Sequence, residues 1–139
     1  MKKKMKFGLL ATSSLFFLGM ATVPAQAADH YASCFTTGAS GSVAINGWNA
    51  GGKNMPDVVL KVYDELSDGH HVRIRLVVSY MAGGTTYFPW HADYDGYGTY
   101  KEWDTSVTGG AQIGNAAVQV ARYKGDDQLN YCTEWVYTS

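Results

Sequence analysis

This sequence is short of the materials from which helices and most catalytic centres are made. After residue 27, Leu, Glu and Lys are scarce, whereas Gly, Tyr, Trp and β-branched residues abound. Good helix formers are therefore missing and strand formers are plentiful, which points to an all-β chain. No segment sustains a helical period, and none after Ala28 is long and apolar enough to span a bilayer. Positive charge is scarce too. Four of the 11 basic residues fall within the first six positions, so residues 28–139 hold seven against 12 acids, a net charge near −5. That disfavours nucleic acid or an anionic membrane surface as partner, because both need clustered cations. There is no C-x-x-C for thiol chemistry, no H-x-x-x-H or H-E-x-x-H for zinc, and no G-x-S-x-G for a serine nucleophile. No cofactor, metal or catalytic residue is assigned on these grounds.

What is present begins with an export signature. Lys2, Lys3, Lys4 and Lys6 precede an apolar run from Phe7 to Met20, and Ala25-Gln26-Ala27 offers small residues at the two positions a signal peptidase reads. A basic end, a short apolar core and an A-x-A site together form a secretory signal. Residues 1–27 are therefore expected to be removed, leaving residues 28–139 as a single secreted, extracellular domain. Its 112 residues are enough for one core and too few for two. The two cysteines, Cys34 and Cys132, are expected to form a disulfide, as paired cysteines do in exported chains.

Strand patterns follow. Ala28 to Gly41 reads as a polar lead-in. Ser42 to Asn46 is a short strand. In Val58 to Asp64, Val58, Leu60 and Val62 alternate with Lys61 and Tyr63. In His71 to Tyr80, Val72, Ile74, Leu76 and Val78 alternate with Arg73 and Arg75. Period two over such lengths marks half-buried strands. The Asp68-Gly69 turn between them predicts a β-hairpin over Val58 to Tyr80, with Lys61, Arg73 and Arg75 forming one basic stripe. Further extended segments are predicted at Thr85 to Trp90, with Pro89 marking an edge or bulge, and at Thr99 to Trp103, Ala116 to Lys124 and Asn130 to Tyr137. Six or seven short strands separated by Gly and Asp turns predict a small antiparallel β-sandwich with one disulfide.

The densest chemistry lies between Tyr87 and Asp104. Trp90, Tyr94, Tyr97, Tyr100 and Trp103 recur about every third residue, and rings on an exposed face stack on sugars or anchor a protein partner. The same rings could instead fill the core of a small domain. From His91 to Glu102, Asp93, Asp95, Gly96 and Glu102 echo a calcium loop, but His91 stands where such a loop needs a carboxylate. Asp93 or Asp95 with Glu102 could also be drawn as the carboxylate pair of a small hydrolase.

VVLKVYD at Val58 to Asp64, Ser67-Asp68-Gly69-His70, and Cys132 with Trp135 resemble the layout of small exported proteins of Gram-positive bacteria, especially actinobacteria. That resemblance implies an exported, β-rich protein and brings no shared activity with it. The leading expectation is a non-catalytic module that binds an extracellular polysaccharide, cell wall or a protein. The alternatives are a small secreted hydrolase and a secreted inhibitor or bacteriocin-like antagonist.

Overall fold

In the computed structural model, residues 28–136 are described. The stretch 1–27 read as a signal lies outside them, as does Tyr137. Nine strands run along the described residues: β1 (His30–Thr36), β2 (Ala39–Asn46), β3 (Asn54–Asp64), β4 (His71–Tyr80), β5 (Thr85–Tyr87), β6 (His91–Asp93), β7 (Tyr100–Thr108), β8 (Ile113–Lys124) and β9 (Asp127–Trp135). They make two antiparallel sheets, one in the order β1-β2-β3-β7, the other β5-β4-β8-β9 with β6 also pairing β4. The all-β sandwich expected from composition is thus the fold. Cys34 and Cys132 are bonded, with Cα atoms 6.1 Å apart, and link edge strand β1 of one sheet to edge strand β9 of the other.

Alternation builds the interior. Val43 and Ile45 of β2, together with Val58, Leu60 and Val62 of β3, face Val72, Ile74, Leu76 and Val78 of β4 and Val118 and Val120 of β8, all at most 1 % exposed. Stacking two such faces removes both from water, the dominant favourable term in folding. Gly41 belongs to this layer because nothing larger fits. A Cβ there would lie 2.7 Å from Val120, 2.8 Å from the Lys61 carbonyl oxygen and 3.0 Å from Ile74. One end of the sandwich is sealed by Trp48, 2 % exposed, from the β2–β3 loop. Its indole Nε1 donates to the Gly52 carbonyl at 3.3 Å, and the His30 ring stands edge-on at 5.0 Å. Gly51 and Ile113, with Ile113 and Gly52, tie that loop by backbone bonds to β8.

The structure corrects four expectations. Val58 to Tyr80 is not a hairpin: β3 pairs β2 and β7, whereas β4 pairs β5, β6 and β8. Each strand has one clean apolar face, and the chain buries both by crossing from one sheet to the other, so the faces stack instead of lying side by side. The basic stripe therefore divides, Lys61 lying on the outer face of one sheet and Arg73 and Arg75 on the outer face of the other. The polar lead-in is β1 and the start of β2, held by full antiparallel register from His30↔Ile45 to Thr36↔Ala39. Finally there are nine strands among the described residues, because β1 and β6 add to the expected segments, and the expected Thr85–Trp90 segment stops short at Pro89. The Phe88 N–H donates to the Leu76 carbonyl at 3.0 Å, and then the edge breaks before resuming as β6. Pro cannot supply the next ladder bond.

Candidate functional site

The five aromatic residues singled out from sequence do not share one face. Tyr100 lies on the outer face of the β1-β2-β3-β7 sheet, opposite Tyr63 in register, their rings 5.3 Å apart. Trp103 points the other way along β7, stacks on His91 at 5.0 Å and packs against the core, closing the sandwich between β7 and β6. Trp90 is turned by the break at Pro89 over the outer face of the other sheet, where its ring meets Tyr123 edge-on at 5.8 Å. Tyr94 stacks on His71 at 4.3 Å on that same side. Tyr97 is exposed at the end of the sandwich, beside a hollow shared with Tyr63, Asp64, Glu65 and Gly98.

Tyr100 and Tyr63 belong to a surface that sequence reasoning missed. Along β1, Tyr31, Ser33 and Phe35 alternate outward, with Phe35 79 % exposed. β2 contributes Ser40 and Ser42 to the same face, and β3 contributes Lys61 and Tyr63. Together they line a shallow trough of about 520 Å³ with Cys34 and Gly41 in its floor. Small hydroxyl residues on β2 leave the trough open, while Tyr31 and Phe35 on β1 and Tyr63 on β3 form its banks, with Tyr100 of β7 packed beside Tyr63. One intervening strand separates β1 from β3, so the banks stand about 9–10 Å apart. The Lys61 ammonium sits 4.7 Å from the centre of the Tyr100 ring and 5.4 Å from that of Tyr63. A hydrogen bond with the Tyr63 side chain raises its pKa above the ordinary lysine value, outweighing the smaller effect of burial, so this cation is permanent at physiological pH. The available signal in sequence was the alternation Tyr31-x-Ser33-x-Phe35, masked by Gly, Ser and Thr around it.

The carboxylates lead elsewhere. Asp95 pairs with Lys101 at 3.4 Å, whereas Glu102 points from the opposite face of β7, so the two acids do not converge on a cleft. Asp93 is fully buried and structural: Oδ1 accepts from the Asp95 N–H and Oδ2 from the Thr99 hydroxyl, both at 2.9 Å. It holds the Tyr94–Thr99 loop as an Asx turn does. Among the described residues, no three His, Cys, Asp or Glu side chains are grouped to hold a metal ion.

Next to that loop, Asp64 is 2 % exposed and its Oδ2 has no hydrogen-bond partner. Burial, which outweighs the hydrogen bond from the Leu66 N–H, raises its pKa above the usual aspartate value, with Asp68 and Asp93 adding to the effect. A raised carboxylate favours the protonated fold, so its charge weighs on stability above the folded pKa and ceases to do so below the unfolded value near 3.8. Asp64→Asn is accordingly expected to raise Tm at pH 7 and to leave it nearly unchanged at pH 3. Thermal melts at the two pH values check this. An equal change at both would place the effect in shape, not charge.

Comparison with family models, with curated proteins and with solved structures finds no match to this chain. The class is therefore defined by its own architecture: a disulfide-linked antiparallel β-sandwich with an aromatic-banked trough on one outer face. Among the described residues, no helix is long and apolar enough to cross a membrane.

Proposed function

We propose that this protein is a secreted, non-catalytic module that binds an extracellular polysaccharide along the trough of the β1-β2-β3-β7 sheet. The observation that carries the reading is the pair of exposed aromatic banks, Tyr31 and Phe35 on one side and Tyr63, with Tyr100 packed beside it, on the other, over a serine floor. Aromatic faces take up the apolar C–H surfaces of sugar rings, and Ser33, Ser40 and Ser42 offer hydroxyls that both donate and accept. Tyr31 and Phe35 lie four residues apart on one strand, about 13 Å, which suits a chain laid lengthwise better than a compact ligand. Export through residues 1–27 fits the disulfide, which persists in oxidising compartments.

The test is co-sedimentation of residues 28–139 with insoluble chitin, cellulose and bacterial cell wall. Saturable retention on one of them is expected. Phe35→Ala and Tyr100→Ala should each weaken it about two- to tenfold, the worth of one ring contact of about 0.5–1.5 kcal/mol. Both side chains are exposed, so Tm should hardly move. Retention on none of the three polymers, or retention indifferent to both changes, would refute the reading.

A further inference from the structure

The opposite face of the molecule carries an arginine that has no counter-ion among the described residues. Of the three arginines, Arg73 pairs with Asp126 at 3.2 Å and Arg122 pairs with Asp68, but Arg75 has no carboxylate within ion-pair distance among the described residues. It is nevertheless half-buried and fixed. Its Nε donates to Gln119 Oε1 at 2.7 Å, and Gln119 Nε2 donates in turn to Thr133 Oγ1 at 2.9 Å, a relay running across β4, β8 and β9. The guanidinium carbon lies 4.2 Å from the centre of the Trp90 ring and 4.8 Å from that of Tyr87. Rings thus take up its π surface and Gln119 its Nε, which leaves the terminal Nη groups without an acceptor among the described residues. Burial lowers the Arg75 pKa, and only the Tyr123 and Tyr87 phenols oppose this. An arginine remains charged all the same.

Holding a cation this way is costly unless an anion completes it. The surroundings say what kind. Val77 and Ala117, on this outer face, are at most 1 % exposed, and Ala117 lies opposite Trp135 in register. Tyr87, 56 % exposed, stands at the open edge. The fork is therefore set in an apolar, ring-lined shelf, suited to a carboxylate carried on a body with its own apolar face. We propose that Arg75, with Tyr87 and Trp90, forms a second binding site, on the outer face of the β5-β4-β8-β9 sheet, for the carboxylate of an acidic sugar residue. Arg75 supplies two parallel N–H donors to the carboxylate, and Tyr87 and Trp90 flank the sugar ring. Arg73 cannot substitute, since its guanidinium lies 3.9 Å from the centre of the Tyr123 ring and is already paired with Asp126.

The experiment titrates a short oligogalacturonate, its fully methyl-esterified form and acetate into residues 28–139, following the Arg75 side-chain N–H and Trp90 indole N–H resonances. Saturable shifts with the free acid are expected. The methyl ester should bind roughly tenfold more weakly or worse, because it keeps the ring and loses the charge-assisted bonds. Arg75→Gln should abolish the response. Arg75→Lys, which keeps the charge without the fork, should bind at least about tenfold more weakly. Tyr87→Ala, at an exposed edge ring, should weaken binding with Tm unchanged. Phe35→Ala and Tyr100→Ala should leave it intact, which separates this site from the trough. The proposal is overturned by no response to the free acid, by an equal response in Arg75→Gln, or by acetate matching the oligomer.

Discussion

Replacing Cys34 and Cys132 with alanine is expected to lower the free energy of unfolding by about 4–5 kcal/mol, the chain-entropy value for a loop of this size. The two half-cystines are 98 residues apart in sequence, so the bridge restrains nearly the whole unfolded chain. It also joins edge strands of different sheets, β1 and β9, which share no backbone ladder. A domain of this length has a total stability of about 5–15 kcal/mol. The variant should therefore melt far below the parent and sit near the threshold of folding at 37 °C. Denaturant titration of the oxidised protein, the reduced protein and the double alanine variant measures it. A midpoint unmoved by reduction would show that inter-sheet packing alone sets the stability.

Trp48→Ala should cost about 3–5 kcal/mol, the range for removing a buried large aromatic. The indole is the largest of the fully buried side chains, and it closes the end of the sandwich where the β2–β3 loop bonds to β8. Truncation would leave a cavity that the loop cannot collapse into, because Gly51 and Gly52 are pinned by the backbone of Ile113. It would also leave His30 facing empty space. Trp48→Phe should recover much of the loss, since most of the ring volume returns while the Nε1 bond to Gly52 does not. Urea unfolding of the two variants distinguishes the contributions. A loss below about 1 kcal/mol for the alanine would mean the site refills by collapse.

The fold class was legible because composition and period two both reflect burial, and burial is what a sheet imposes on its residues. Val72, Ile74, Leu76 and Val78 could be read as one face directly. Strand partnership was not legible. The alternation of Val58–Asp64 and His71–Tyr80 specifies which face is apolar, and that face is satisfied equally by a neighbour in the sheet or by a partner across the core. The Asp68-Gly69 turn did not decide between them. It ends at His71, the first residue of β4. That ring is 9 % exposed, between Tyr94 and Tyr123, and accepts a hydrogen bond from Arg73 Nε at 2.9 Å. β1 was missed for a related reason, because its inward apolar residues are only Ala32 and Cys34. A strand with so little apolar surface is held by pairing and by the disulfide, which local pattern does not record.

The candidate site was half legible. Density of aromatic residues between Tyr87 and Trp103 marked a region rich in exposed rings, and Tyr94, Tyr97 and Tyr100 are indeed exposed. Sequence proximity suggested one surface, but β6 and β7 belong to different sheets, so neighbours in the chain part company. The rings that join Tyr100 come from 37 to 69 positions away, at Tyr63, Phe35 and Tyr31. Only the β1-β2-β3-β7 order brings them together.

The position of the bridge has a mechanical consequence. Cys34 and Cys132 lie near the two ends of the described sequence, on strands that lie against each other. Tension applied to the chain before Cys34 and after Cys132 passes from sulfur to sulfur and bypasses the loop between them. Of the hydrogen-bonded ladders, only the pairs outside the bridge, made by His30 to Ser33 of β1 and Thr133 to Trp135 of β9, carry it, and those between the half-cystines are shielded. A domain built this way keeps β2 to β8 out of the line of force while its ends are pulled.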